Sequence, residues 1–297
     1  MNKVTLTIFT DPMMGLSYES EPVIRRLETH FGEALDIRYA MCVLVGDVRH
    51  FMLPADMAET PELTLANYNR RLASIYREEE KINGMPIAME DCRLFDMQHL
   101  TSEPLCLAVK VVQRVAPERA EQFLYRLRYA TIVEVRPTTH HDELLRVVRL
   151  TGGIAETSFQ EAYNNGMAEK ALQDDLSIAR TLNLRSLPAY MLHYGNRHSL
   201  IHDMANYDAF TSVIRQLTGG SILPTLPMAT TESLCRLISR HPLISPIEIS
   251  QAFNLQTADE VKHFIQPLID NGEICVQEVP HGLFIMKKTS KKNEKNI

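Results

Sequence analysis

Val4–Phe9 is a short apolar run rich in β-branched residues that ends at Thr10-Asp11-Pro12, a pattern that predicts a strand. Pro22 suits a first helical turn, and Val23, Ile24, Leu27 and Phe31 follow at helical spacing, which predicts a helix from about Glu21 to the stop at Gly32. Leu35–Met41 alternates apolar and polar residues as a second strand, completing β-α-β. From about Pro61 to Asn183 the spacing becomes helical. Helices are predicted at Leu63–Lys81, Glu103–Arg114, Pro117–Thr131, His141–Thr151 and Ser158–Leu182, broken by Gly84, Pro86, Pro137 and Gly152-Gly153. Strand character returns at Ala189–His193 and Ser199–His202 around the turn signal Gly195-Asn196, before a helix at Tyr207–Leu217.

A β-α-β half, a helical block and a β-β-α half make the layout of an α/β thioredoxin-like fold with an inserted helical subdomain. We assign this unit to residues 1–222, with the insertion at about 61–183. A second unit is expected at 228–288. Its helices are predicted at Thr231–Arg240, from Pro246, and from Thr257, an N-cap with Glu260 as the capping-box partner. A hairpin of Ile274–Val279 and Leu283–Met286 follows, so the pattern is that of a winged helix. The lysine-rich tail at 289–297 lacks apolar spacing and is expected to be disordered.

The length, 297 residues, accords with two domains, and no apolar run approaches the roughly 18 residues a membrane-spanning helix needs. The first residues read as a strand and not as a signal peptide, so a cytoplasmic location is expected. A net charge of -6 argues against a surface built for nucleic acid. Five cysteines, Cys42, Cys92, Cys106, Cys235 and Cys275, include no C-x-x-C pair and read as isolated thiols.

The segment Asp11–Val23 resembles the active-site region of cytoplasmic DsbA-family proteins of the FrnE type, whose pattern is Asp-Pro, one residue, Cys-x-x-Cys-Trp/Tyr and then Glu-Pro. The similarity continues through Ile82–Pro86, Glu103–Lys110, Phe123–Ala130 and Asp174–Pro188, where the family's Gly-x-Pro-Thr stands as Ser186-Leu187-Pro188-Ala189. The resemblance puts Met14 and Ser17 at the two cysteine positions. A thioether has no proton to lose and forms no disulfide, and a serine alkoxide needs a base beside it, so neither supports thiol exchange. The resemblance also makes Pro188 the cis-proline, with Leu187 and Ala189 flanking a peptide-docking edge. Met13 and Met14 are expected to line that groove with adaptable side chains, beside Ser17.

A DsbA-like unit fused to a winged helix resembles the YjbH/SpxH adaptors, which deliver the regulator Spx to the ClpXP protease. The resemblance therefore implies a redox-inactive adaptor whose partner is a protein or an extended peptide, with no cofactor and no catalytic residue. Two alternatives stay open: a thiol-disulfide oxidoreductase-like or glutathione-dependent enzyme using Ser17, and a DNA-binding regulator acting through the winged helix. Against the latter, the third C-terminal helix carries Asp259, Glu260 and Asp270 against Lys262 alone. His140-His141 is expected to start a helix. In His140-His141-Asp142-Glu143 the adjacent histidines point about 100° apart, and neither an H-x-x-x-H pattern nor a cysteine partner lies near, so no metal site is expected. Asp174 and Asp175 are given no catalytic role.

Overall fold

The computed structural model describes residues 3–288, so the expected tail at 289–297 lies outside the described residues. Strand β1 (Val4–Thr10) is followed by a short helix α1 (Gly15–Glu19), α2 (Glu21–Phe31) and β2 (Leu35–Met41). Six helices then intervene: α3 (Pro61–Glu79), α4 (Glu103–Val115), α5 (Ala120–Ile132), α6 (His141–Thr151), α7 (Glu156–Asn164) and α8 (Met167–Thr181). The chain returns to the sheet through β3 (Ala189–Tyr194) and β4 (Arg197–His202), then α9 (Tyr207–Thr218). The sheet order is β2-β1-β3-β4, with β1 parallel to β2 and antiparallel to β3.

The strand pattern dictates both faces of this sheet. Val4, Leu6 and Ile8 alternate onto one face, where they meet Ile24, Leu27 and Phe31 of α2 and Phe210, Ile214 and Leu217 of α9. On the other face Phe9, Ala40 and Ala189 meet Leu176 and Ala179 of α8. Burying side chains such as Leu27 and Ile214 contributes about 1.5–3 kcal/mol each, which holds the layers together.

The remaining residues form α10 (Thr231–Arg240), β5 (Leu243–Ile244), α11 (Pro246–Phe253), α12 (Ala258–Asp270), β6 (Ile274–Val279) and β7 (Gly282–Lys287), with sheet order β5-β7-β6. They enclose their own core around Leu234, Ile249, Phe253, Ile265 and Ile285. Leu243 and Phe284 face the other way and join the core of the inserted helices. Among the described residues no helix is long and apolar enough to cross a membrane.

Several local expectations need correction. The helix expected at Ser158–Leu182 is two, because Gly166 adopts a left-handed conformation at φ 79° and restarts the chain as the N-cap of α8. Pro117–Arg119 forms a separate 3-10 turn ahead of α5. Thr257 caps α12 by accepting the Glu260 N–H, but the Glu260 carboxylate reaches past it to the Gln256 N–H at 2.6 Å, so no reciprocal box forms.

Candidate functional site

The two motif positions sit where strand β1 hands over to α1. Met14 is the N-cap of α1, in extended conformation, and its side chain offers the helix no cap. Ser17 lies within α1, only 1% exposed, and its hydroxyl accepts a hydrogen bond from Thr10 Oγ1 at 2.8 Å. Thr10 in turn accepts from the Arg128 guanidinium at 2.8 Å. Ser17 therefore neither caps the helix nor faces a base.

The approach to Met14 is covered by α3. Tyr76 donates its hydroxyl proton to the Met13 carbonyl. Gly15 is packed so closely that a Cβ there would stand 1.9 Å from Glu79 Oε2 and 2.7 Å from the Tyr76 ring. Tyr18, beside the motif, donates to the Pro86 carbonyl at 3.0 Å, and Pro86 packs on Gly282 of β7. Glu19 accepts the Asn83 N–H at 2.8 Å, which pins the turn after α3 against α1. Burial pushes the Glu19 carboxyl up to about 8 and that of Glu79 to about 7.

Below the motif lies Asp11, fully buried. Its carboxylate accepts from Met13 N–H at 2.9 Å, Leu44 N–H at 2.8 Å and Ser102 Oγ at 2.6 Å, with Cys106 Sγ at 3.6 Å. Burial raises its pKa against these lowering bonds. Asp11 thus ties the motif loop, the chain after β2 and the start of α4 into one point. Desolvation drives the Cys106 thiol well above its ordinary value, and the Asp11 charge adds to it.

The expected groove residues separate. Met13 and Met14 are 1% and 7% exposed and are turned inward, Met13 into the core of the inserted helices, so they do not line an open groove. Ala189 is inside the sheet, paired with Phe9 on one side and His202 on the other, so its backbone is no free docking edge. Pro188 follows a cis peptide and is buried, and Leu187 alone of the six is half-exposed.

A cleft of about 360 Å³ does open beside Leu187, lined by Val43, Leu44, Leu176, Ala179 and Leu184, with Arg180 and Arg185 at its rim. Cys42 also borders it, but burial, with Asp175 and Asp11 nearby, pushes that thiol up to about 12. Such a thiol supplies almost no thiolate near neutral pH. Asp175 accepts from Met41 N–H at 2.8 Å and Lys110 Nζ at 2.7 Å, joining α8 to β2 and α4.

Sequence reasoning missed the charges behind the motif. Arg25, 1% exposed, meets Glu21 at 2.9 Å, Glu121 at 3.2 Å and Glu248 at 3.2 Å, and also Glu28. These come from α2, α5 and α11, and Glu21 additionally binds Arg128. Burial raises Glu248 to about 7, with Arg25 working against it. The signal for this junction in the sequence was the spacing of Glu21, Arg25 and Glu28, which puts three charges on one face of α2.

The family model described as thioredoxin matches residues 8–212. The ClpXP adapter protein SpxH of Halalkalibacterium halodurans is 21% identical over 279 residues, covering 93% of this chain and 86% of the relative. The protein of that name from Bacillus subtilis is 22% identical over 284 residues, covering 93% and 87%. Among solved structures, the cytosolic disulfide reductase DsbM from Pseudomonas aeruginosa superposes with a TM-score of 0.53 at 18% identity, covering 72% of this chain and 98% of that one. Because the family match runs through both halves of the sheet and the helices inserted between them, the chain belongs to the thioredoxin family and has a DsbA-type thioredoxin-like fold.

Proposed function

We propose that this chain is a redox-inactive adaptor that binds a protein segment and presents it to a protease of the ClpXP kind. The observation that carries this is the thioether of Met14 at the α1 N-cap, under the cover of Tyr76 and Glu79. A nucleophile needs an ionisable group open to its substrate, and this position has neither property. Support comes from the relatives named as ClpXP adapters, whose similarity extends over nearly the whole chain, C-terminal unit included.

We read residues 228–288 as a winged-helix unit used for protein docking, from its helix-strand-helix-helix-strand-strand order. The exposed residues of α12 include Asp259, Glu260 and Asp270 against Lys262, which favours a protein partner over phosphate. The partner's extended segment belongs in the cleft beside Leu187, an apolar side chain or two in the floor and carboxylates toward Arg180 and Arg185.

Two assays decide the proposal. Insulin reduction by dithiothreitol should run at the uncatalysed rate with the protein present. Degradation of Spx by ClpXP should accelerate on adding the chain, and Leu187→Asp should abolish most of the acceleration. Catalysed insulin reduction would return the protein to the disulfide oxidoreductases, and unchanged degradation would remove the adaptor reading.

A further inference from the structure

Away from the motif, three side chains from two distant segments converge. Asp96 and His99 occupy one turn of the loop between α3 and α4, and His140 is the N-cap of α6. His99 Nδ1 lies 2.8 and 3.0 Å from the two Asp96 oxygens, and His140 Nε2 lies 2.7 Å from Oδ2. The two imidazole rings stack with centroids 3.7 Å apart. One oxygen and two nitrogens thus sit within 4.8 Å of one another.

We propose that Asp96, His99 and His140 form a binding site for a divalent transition ion of the zinc class, with water as the fourth ligand. The donor set of two imidazoles and one carboxylate suits such an ion and not calcium or magnesium, which take oxygen. Bonds of about 2.0–2.1 Å in a tetrahedron separate donors by about 3.3 Å. The ring-to-carboxylate separations of 2.7–3.0 Å need to open by only about half an ångström, with the rings splaying out of their stack. The ion takes the place of the protons that now bridge each ring to the carboxylate.

Both segments are held close to their ligands. Phe95, next to Asp96, is 2% exposed, and its carbonyl accepts from Asn69 Nδ2 at 2.8 Å. Thr139, next to His140, is 2% exposed and donates to the Leu94 carbonyl at 2.6 Å. The ligand side chains themselves are 43%, 28% and 31% exposed, which leaves an open side for entry and for water. A bound ion would cross-link the loop to α6, and ligands carried on anchored backbone are held near their binding geometry beforehand. The other cluster of possible ligands among the described residues, Glu28, Glu121 and His241, has two carboxylates and one imidazole, already encloses the guanidinium groups of Arg25 and Arg240, and has no need of a further cation.

The test uses the full chain freed of metal by chelation. Titration with Zn2+ should show one saturable equivalent and raise the melting temperature by about 5 °C at a hundredfold excess over Kd. Co2+ should give the visible ligand-field bands of a four-coordinate site. His99→Gln and His140→Gln should each weaken binding at least about tenfold, and His99→Cys, which keeps a ligand, should restore it. Should a glutamine variant fail to fold, the ring protons of His99 and His140 in the unaltered chain serve instead, and both should shift together at one equivalent. No saturable binding, unaltered affinity in the folded variants, or ring protons that do not respond would each overturn the site.

Discussion

Replacing Glu19 by glutamine isolates the electrostatic cost of covering the motif. Glu19 is fully buried at the end of α1, Oε2 accepts the Asn83 N–H, and Oε1 finds no partner among the described residues. Burial, with a smaller push from Glu80 and Glu79, lifts its carboxyl from 4.5 to about 8. A folded-state value above the unfolded one means that Glu19 contributes stability in full below about pH 4.5 and loses it as the pH climbs toward 8. At about 1.4 kcal/mol per pH unit, the loss by pH 7.5 is about 4 kcal/mol. Glutamine does not titrate, but its amide nitrogen takes the unpartnered place at a cost of about 1–3 kcal/mol that is independent of pH. The two stability curves should therefore cross: wild type is the more stable near pH 5, and Glu19→Gln near pH 8. Urea unfolding followed by far-ultraviolet circular dichroism at half-unit steps measures the difference directly. A difference that stays flat with pH, or one that grows in favour of wild type, refutes the assignment of a buried carboxyl whose desolvation outweighs its hydrogen bonds.

Arg25→Met should cost about 3–5 kcal/mol, because three buried glutamates, Glu21, Glu28 and Glu248, and the partly buried Glu121 lose their shared cation. Calorimetry should show a fall of about 10 °C in Tm, and a fall of under about 2 °C would show that water already reaches the junction. Gly15→Ala forces the new methyl against Glu79, which can swing away, and against Tyr76, which its bond to Met13 holds in place. A loss of about 1–3 kcal/mol and faster hydrogen exchange at residues 13–18 are expected, and an unchanged exchange pattern would mean that α3 does not seal the motif.

The alternation of strands and helices was legible because periods of 2 and 3.6 differ plainly over long runs such as Val4–Phe9 and Thr231–Arg240. Helix α1, five residues long, is too short to display a period, and β5, two residues long, is visible only through its partner Ile285. The break before α8 was written in Asn164-Asn165-Gly166, a turn signal overlooked inside an otherwise helical stretch. At the motif, chain position and chemistry of Met14 and Ser17 were readable, but accessibility was not. The residues that decide it, Tyr76 and Glu79, come from the far end of α3. The same reason hides the histidine cluster: the partners of His140, Asp96 and His99, are its neighbours only in space.

The charged junction and the turn holding Met14 and Ser17 are parts of one structure. From Glu248 on α11 the contacts run through Arg25 to Glu21, from Glu21 to Arg128, from Arg128 to Thr10, and from Thr10 to the Ser17 hydroxyl. Each member is buried, so removing one leaves the neighbour it bonds exposed to the full desolvation penalty. A serine at position 17 fits that requirement because its oxygen accepts from Thr10, whereas a thiol accepts only weakly and would leave the Thr10 hydroxyl poorly bonded. The Ser17 hydroxyl is thus the end of the path that fixes the C-terminal unit against α2.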